Sequence, residues 1–360
     1  MKENKKYSVI GLMSGTSLDG LDVAFCEIIF KENQWNFNIV KAKTYQYSNV
    51  WKETLKSLEN SDALNLALID REYGFYLGKI VNQFISEFEL KPDFIASHGH
   101  TIFHQPEKKF TFQIGNGAAI AAENGIDVIC DFRTMDVSLG GQGAPLVPIG
   151  DQHLFSDFNF CLNLGGFANI SIKENGNIHA FDVCPVSIVL NNLVSELGLD
   201  FDESGAIARK GKCSIQILQA LDALEFYNKP YPKSLGKEWV LENVFPVFME
   251  SNLPVEDKLR TFCEHASNQI AKAINFKQNE KVLVTGGGAF NEFLIELIQD
   301  KTKNIITIPD KLIVDFKEAL IFAFLGVLRI RNEVNCLKSV TGAKCDNIGG
   351  AIYKGNLDSI

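Results

Sequence analysis

The sequence predicts an α/β protein of two related domains that face one another across a cleft. Three observations carry that expectation. The chain has 360 residues, enough for two domains with cores of their own. Apolar residues alternate at strand spacing in some stretches and recur at helix spacing in others. A strand, a glycine turn and two further strands occur near the N-terminus and again about half a chain later, as in a duplicated unit.

Residues 7–12 form an apolar, β-branched run and residues 21–29 an alternating one. Between them Gly11-Leu-Met-Ser-Gly-Thr-Ser-Leu-Asp-Gly-Leu-Asp22 makes a tight turn. Residues 35–47 supply a third antiparallel strand. Leu77, Ile80, Val81, Phe84, Ile85 and Phe88 predict a helix from about residue 61, capped by Ser61 or Asp62 and closed by Lys91-Pro92. Short strands over 94–97 and 111–114 end in Ser97-His-Gly-His-Thr101 and Gly115-Asn-Gly117. A small helix over 118–124 leads to a strand over 127–130. The polar, glycine-rich passage 131–148 is expected to cross between domains and to carry function. The second half repeats the opening with strands over 158–164, 168–172 and 178–182, joined by Gly165-Gly166 and Glu174-Asn-Gly-Asn177. Helices over 186–197 and 256–276 follow. Then come a strand over 281–284, the turn Thr285-Gly-Gly-Gly288, and helices over 291–300 and 316–330. A last helix-like segment follows Ser339-Val-Thr-Gly342. The expected domains are 1–135, to which 336–360 returns, and 136–335.

Composition narrows the class. The chain is 46% hydrophobic and 22% charged, with no low-complexity tract. Its net charge of −9, without a lysine or arginine cluster, argues against nucleic acid or an anionic membrane as partner. The basic N-terminus is followed by an apolar run that meets Gly11 and Ser14 too early for a signal sequence, and no segment approaches transmembrane length. Eight cysteines show no C-x-x-C pair and lie mostly in apolar runs, so they read as buried thiols in a reducing compartment. The expected location is cytoplasmic.

Three glycine turns end strands, at 15–20, 165–166 and 286–288. In the first, glycines allow close backbone approach and successive N–H groups form an anion site. Asp19 and Asp22 beside it require a divalent cation between themselves and any phosphate, unless the stretch is only a glycine-rich hairpin. None of the three is a Walker A loop or a dinucleotide fingerprint. Together they suit a nucleotide whose phosphates lie between two lobes, held by backbone N–H groups, the Thr16 and Ser17 hydroxyls, and a metal.

Five strings in order make the pattern specific: Gly15-Thr-Ser-Leu-Asp-Gly-Leu-Asp22; Asp131-Phe-Arg133 with Gly140-Gly-Gln-Gly-Ala-Pro-Leu-Val-Pro148; Asn163-Leu-Gly-Gly-Phe-Ala-Asn169; Thr285-Gly-Gly-Gly-Ala-Phe-Asn291; and Ser339-Val-Thr-Gly342. From about Tyr7 to Tyr353 the chain resembles the anhydro-N-acetylmuramic acid kinases, of the actin, sugar-kinase and heat-shock-chaperone superfamily. The resemblance implies two lobes of duplicated ribonuclease-H-like fold around a cleft holding ATP and magnesium, and a homodimer. It implies hydrolytic opening of the 1,6-anhydro ring of anhydro-N-acetylmuramic acid, coupled to phosphorylation of O6, in peptidoglycan recycling.

Carried over by position, Gly15, Thr16, Ser17, Leu18, Asp19, Gly20, Leu21 and Asp22 would form the first phosphate loop, with Asp19 and Asp22 toward magnesium. Asn163, Gly165, Gly166 and Asn169 would form the second; Gly286, Gly287, Gly288 and Asn291 would line the nucleoside side. The general base of the family's D-T-G-P-G-N motif falls on Asp182, in Phe181-Asp-Val-Cys-Pro-Val-Ser187. Here Val-Cys replaces Thr-Gly and Val-Ser replaces Gly-Asn, and His100 stands where the family has glutamine. From its residue type alone Asp182 also reads as a cap for the helix starting near residue 186. Arg133 offers a planar fork for the sugar's lactyl carboxylate, or a surface ion pair with Asp131 or Asp136. Glu318 is a second carboxylate toward the sugar, or simply a complement to a helix dipole. Thr101 and His100 end a strand aimed at the same cleft. His98, His100 and His104 have ligand-like spacing, and 98 and 100 share a face if the strand continues. No fourth ligand stands nearby, which argues against zinc. Cys184 reads as a buried thiol and Lys233 as a loop lysine that closes over the site or is merely solvated. The rival readings are a sugar kinase of shifted substrate and a non-catalytic actin-like ATP-binding protein.

Overall fold

A computed structural model of the protein describes residues 5–15, 18–249 and 251–355. The chain divides into two compact units, Met1–Leu154 with Phe316–Ile360, and Phe155–Asp315.

In the first unit, β1 (Lys6–Ser14), β2 (Leu21–Lys31) and β3 (Gln34–Tyr45) form an antiparallel meander. On the other side of β1 lies β4 (Phe94–Gln105), parallel to it. It carries β5 (Phe110–Ile114) as an antiparallel partner and β6 (Val128–Cys130) as a parallel one. A strand over Ala351–Tyr353 closes this edge against β6. In the second unit, β7 (Phe160–Leu164), β8 (Phe167–Glu174) and β9 (Asn177–Pro185) repeat the meander. β10 (Lys281–Thr285) and β11 (Ile305–Thr307) follow, parallel, beyond β7. The order 3-2-1-4-6 of one sheet matches 9-8-7-10-11 of the other, strand for strand and direction for direction. This is the ribonuclease-H-like topology, present twice.

Helix Ala63–Phe88 starts on Asp62, whose carboxylate accepts from the Asn65 N–H, and ends where Glu89 turns left-handed at φ 53°. Its apolar stripe, Tyr73, Leu77, Val81 and Phe84, packs with Ile10, Leu12 and Ile95 of the sheet. The opposite face receives helix Lys311–Arg331. A Cβ on Gly11 would lie 1.9 Å from the Ala319 carbonyl oxygen, and Gly326 abuts Ala96 and Phe94. Gly11 is therefore glycine for a helix, not for a ligand.

Several expectations need correction. The compact units are bounded at 154/155 and 315/316, not at 135/136 and 335/336, because Phe316 onward packs on the first sheet and Val147–Leu154 forms a helix within that unit, Gly150 meeting Ile321. Strand β4 runs through Ser97-His-Gly-His-Thr101 rather than ending before it. Among the described residues no helix follows Gly342; Lys338–Thr341 is one short turn of helix and Ala351–Tyr353 is a strand.

The glycine-rich passage is tied down by one carboxylate. Asp136 is fully buried. Its Oδ1 accepts from Thr341 Oγ1 at 2.8 Å, Asn347 Nδ2 at 2.9 Å and Cys336 Sγ at 3.1 Å, and its Oδ2 from the Gly143 N–H at 2.8 Å. A Cβ on Gly141 would fall 2.2 Å from Oδ2, so the loop can close on Asp136 only with glycine there. Each donor orphaned in a buried site costs about 1–3 kcal/mol. Asp136→Ala should therefore lower the unfolding free energy by at least about 3 kcal/mol, measured by urea denaturation. An unchanged midpoint would show that the knot is not needed.

Candidate active site

The first glycine turn lies between β1 and β2. Thr16 and Ser17 lie outside the described residues. Leu18 takes a left-handed φ of 59°, its N–H reaching the Gly15 carbonyl at 3.4 Å, and Asp19 is exposed. Gly20 is crowded by the Tyr45 carbonyl, 2.6 Å from where a Cβ would sit. Leu21 is core, 1% exposed, so only its backbone could serve a phosphate. Asp22, half-buried, accepts the Thr44 hydroxyl on the neighbouring strand.

Past this turn, β4 changes phase. Gly99 sits at φ 74° inside the strand, a conformation that favours glycine. As a result His98 packs on Phe322 of one helix layer, while His100 turns toward Tyr73 of the other. The expectation that 98 and 100 share a face fails for this reason. His100, 4% exposed, spends Nδ1 on Ser14 Oγ at 2.8 Å, within a chain that continues through the Tyr47 and Tyr73 hydroxyls. Burial lowers its pKa to about 4, so it is neutral. His104 instead meets Thr111 Oγ1. The three imidazoles go to three places, and no group of three His, Cys, Asp or Glu side chains among the described residues could hold a metal. Thr101 is half-buried and, by alternation after the break, returns to the side of His98.

His98 carries the role that sequence reasoning missed. Its Nδ1 lies 2.9 Å from the Gly99 carbonyl, and its Nε2 accepts from Arg133 Nε at 3.0 Å and Nη2 at 2.9 Å. One neutral tautomer, protonated on Nδ1, satisfies both. Burial, then the Arg133 charge, hold its pKa well below the ordinary histidine value. Arg133 Nη1 donates to the Gly143 carbonyl at 2.6 Å. Of the five guanidinium N–H groups, two remain without a partner among the described residues, one on each terminal nitrogen, which is the fork that takes a carboxylate. Desolvation lowers the Arg133 pKa to about 10, opposed by the charge of Glu318. Glu318 keeps access to solvent, yet the protein around its carboxyl raises its pKa against the pull of Arg133 and Lys317. Arg133 forms no ion pair with Asp131 or Asp136.

In the second unit, four polar residues stand in one row across four strands: Thr285 on β10 opposite Asn163 on β7, Asn163 opposite Asn169 on β8, and Asn169 opposite Asp182 on β9. A bulge creates the last pairing. Ala168 pairs with Cys184 and Asn169 with Asp182, which leaves Val183 extra. Val183 and Cys184 both go into the core, Cys184 toward Ala266 of helix Val255–Ile274. Asp182 is thereby aimed at the opposite face, as bulges beside reactive sites commonly do. Its Oδ2 accepts the Leu235 N–H at 2.8 Å, and its own N–H donates to the Lys233 carbonyl at 3.0 Å. Burial pushes its pKa up, partly offset by the Leu235 bond. Among the described residues it caps no helix: the one hydrogen bond its carboxylate accepts is from the Leu235 N–H, on Oδ2.

The glycine turns frame this row. Gly165 and Gly166 give their carbonyls to the N-terminus of helix Ser187–Val194, through the N–H groups of Ser187 and Val186. No atom lies within 4 Å of where a Cβ of Gly166 or Gly287 would sit, whereas Gly286 and Gly288 are filled by Asn163 and Leu164. Asn291 caps helix Glu292–Asp300 through the Leu294 N–H at 3.0 Å. The Thr285 hydroxyl is buried with no hydrogen-bond partner among the described residues. Open space over two glycines and an orphaned hydroxyl beside them suit a bound phosphate chain.

A family model for anhydro-N-acetylmuramic acid kinase matches residues 7–355. Among curated relatives, the anhydro-N-acetylmuramic acid kinase of Aliivibrio fischeri is 35% identical, over 98% of this chain and 100% of its own. That of Sulfurovum sp. (strain NBC37-1) is 33% identical, over 97% and 99%. Among solved structures, the activator of the 2-hydroxyisocaproyl-CoA dehydratase from Clostridium difficile superposes with a TM-score of 0.45 at 13% identity, over 91% of this chain and 98% of its own. On the full-length family match and these relatives, the chain belongs to the anhydro-N-acetylmuramic acid kinase family.

Proposed function

We propose that the chain uses ATP and water to convert 1,6-anhydro-N-acetylmuramic acid into N-acetylmuramic acid 6-phosphate and ADP. The supporting observation, beyond family membership, is the bulge at Val183, which turns Asp182 out of the core into the polar row. Among the described residues Oδ1 of Asp182 accepts no hydrogen bond, and burial makes the carboxylate more basic than an ordinary aspartate. In the proposed reaction Asp182 takes a proton from water as the water oxygen bonds to C1. The C1–O6 bond breaks, and O6 takes the γ-phosphoryl group, releasing ADP. Arg133, oriented by His98, holds the lactyl carboxylate; Thr101 and Glu318 complete the sugar contacts, and His100 acts through Ser14. Gly15 to Asp22, Asn163 to Asn169 and Gly286 to Asn291 serve the nucleotide.

Magnesium fits the donors present. Asp19 and Asp22 offer one or two carboxylates, which is how Mg²⁺ is commonly held when phosphates supply its remaining ligands. When bound it neutralises phosphate charge and acts as a Lewis acid. All eight cysteines are unpaired, and no described helix is long and apolar enough to cross a membrane, in keeping with a cytoplasmic enzyme. The homodimer is carried over from the family.

Purified protein incubated with ATP, magnesium and the anhydro sugar should yield a product heavier by both phosphate and water, read by mass spectrometry. Phosphate alone would mean a plain sugar kinase, and no sugar-dependent ADP release would reject the proposal.

Two further outcomes follow from the site. Asp182→Asn should lower turnover at least about 100-fold with ATP binding intact. A carboxyl whose folded pKa is raised costs stability as pH climbs from the ordinary carboxylate value through its own, because the unfolded chain loses the proton first. The same variant should thus melt no earlier than wild type at neutral pH, and the acid limb of kcat should lie above the ordinary aspartate value of about 3.9. An active asparagine variant would place the base elsewhere. His98→Ala should raise KM for the sugar about tenfold or more while sparing KM for ATP, since Arg133 loses its orienting acceptor. Equal effects on both would point to a merely structural role.

A further inference from the structure

The second unit holds a cavity of about 340 Å³ that the reaction above does not use. Part of its wall is aromatic: Phe181 stacks on Tyr231 with centroids 5.2 Å apart and planes 7° from parallel, and Phe276 lines it while 54% exposed. Lys229, Lys233 and Lys272 share that space with one carboxylate, Glu174. Lys229 pairs outward with Glu225. Lys233 donates to the Phe226 carbonyl at 3.2 Å and Lys272 to Asn228 Oδ1 at 3.5 Å, and among the described residues neither has a carboxylate at ion-pair distance. Burial, then the Lys272 charge, lowers the Lys233 pKa. Two ammonium groups thus bear on one another beside an aromatic space, an arrangement that an anion would relieve.

The wall is built before any ligand arrives. His265 is fully buried; its Nδ1 donates to Asp222 Oδ1 at 2.6 Å and its Nε2 accepts the Tyr227 hydroxyl at 2.8 Å. Gln269 donates to the same Asp222 oxygen at 2.8 Å. Tyr227 and Gln269 both face the cavity, so this network fixes its shape and lowers the ordering cost of binding. The cavity lies on the core side of the strand that carries Asp182: Phe181 and Val183, which flank that residue, line it, and its far end reaches Glu174.

We propose that this cavity is a second ligand site, for a small organic carboxylate with a flat apolar body. Phe181, Tyr231 and Phe276 bed the body, and Lys233 with Lys272 take the carboxylate. The probe is 2-naphthoate, compared with uncharged 2-naphthalenemethanol, titrated into the full chain at low salt by isothermal calorimetry or ligand-observed NMR. Naphthoate should bind about tenfold more tightly than the alcohol, the scale of two solvent-accessible ion pairs. Lys272→Met should erode that preference, and Lys233→Met with Lys272→Met should abolish it while alcohol binding and the melting temperature persist. Should the double variant not fold, Lys272→Met alone and the loss of preference in high salt carry the test. Saturating ATP should not displace naphthoate. Equal binding of the two probes, a preference that survives Lys272→Met and salt, or displacement by ATP would overturn the assignment. None of these readouts depends on turnover of the anhydro sugar.

Discussion

The buried Asp136 carboxylate is the constraint on which the Arg133 side of the candidate site depends. It gathers Thr341, Asn347 and Cys336 from the C-terminal segment and the Gly143 N–H from the glycine-rich loop. Gly143, held on its N–H side, offers its carbonyl to Arg133. Arg133, held on that side, meets His98 on the other, and His98 is fixed in one tautomer by the next residue's carbonyl. A single acceptor thus helps to position, through two links, the two Arg133 N–H groups that have no partner among the described residues and can take a carboxylate. Hydrogen bonds to a charged group are worth more than neutral ones, so the network is anchored where it is strongest. It also explains the distant Ser339-Val-Thr-Gly342 string: Thr341 has its function at Asp136, some 200 residues back.

The second unit solves a related problem with a backbone device. Strict alternation backward from Cys184 would put Asp182 under the Val255–Ile274 helix, where an aspartate is unaffordable without a partner. One extra residue, Val183, reverses the phase and lets Val183 and Cys184 both fill the core. The first unit does the equivalent with Gly99 in β4, which sends His98 and His100 to opposite helix layers. In both units the polar residue of interest lies beside a break in strand periodicity.

Those breaks mark the limit of what could be read in the sequence. The strands of both meanders, the long helices and the duplication were legible, because apolar periodicity and turn chemistry are local signals. The short strands β11 and Ala351–Tyr353 were not; three residues carry too little pattern, and they form because an existing edge offers them partners. The domain boundary was misplaced because Phe316 onward is helical in either unit, and only packing against Gly11 and Gly326 decides which sheet it covers. For the candidate site, the glycine turns at strand ends were legible. Phase was not: nothing in Ser97-His-Gly-His-Thr101 announces that Gly99 is left-handed, although a glycine inside a strand-like run is the available hint. His98 was weighed only as a metal ligand for that reason.

Phase also decides what the altered Phe181-Asp-Val-Cys-Pro-Val-Ser187 string means. Read as a string, replacing Thr-Gly by Val-Cys beside Asp182, the proposed base, looks like a change of chemistry. In the fold both new side chains point away from the polar row, Val183 4% and Cys184 0% exposed, and Val186 is buried at 1%. The turn is held by the Val186 N–H on the Gly166 carbonyl and by the Ser187 N–H and hydroxyl on the Gly165 carbonyl. A threonine hydroxyl at 183 would need a buried partner; valine fills a similar volume without one. The changes at 183, 184 and 186 are thus exchanges of core packing behind the strand, and the face that carries Asn163, Asn169 and Asp182 is the one they leave untouched.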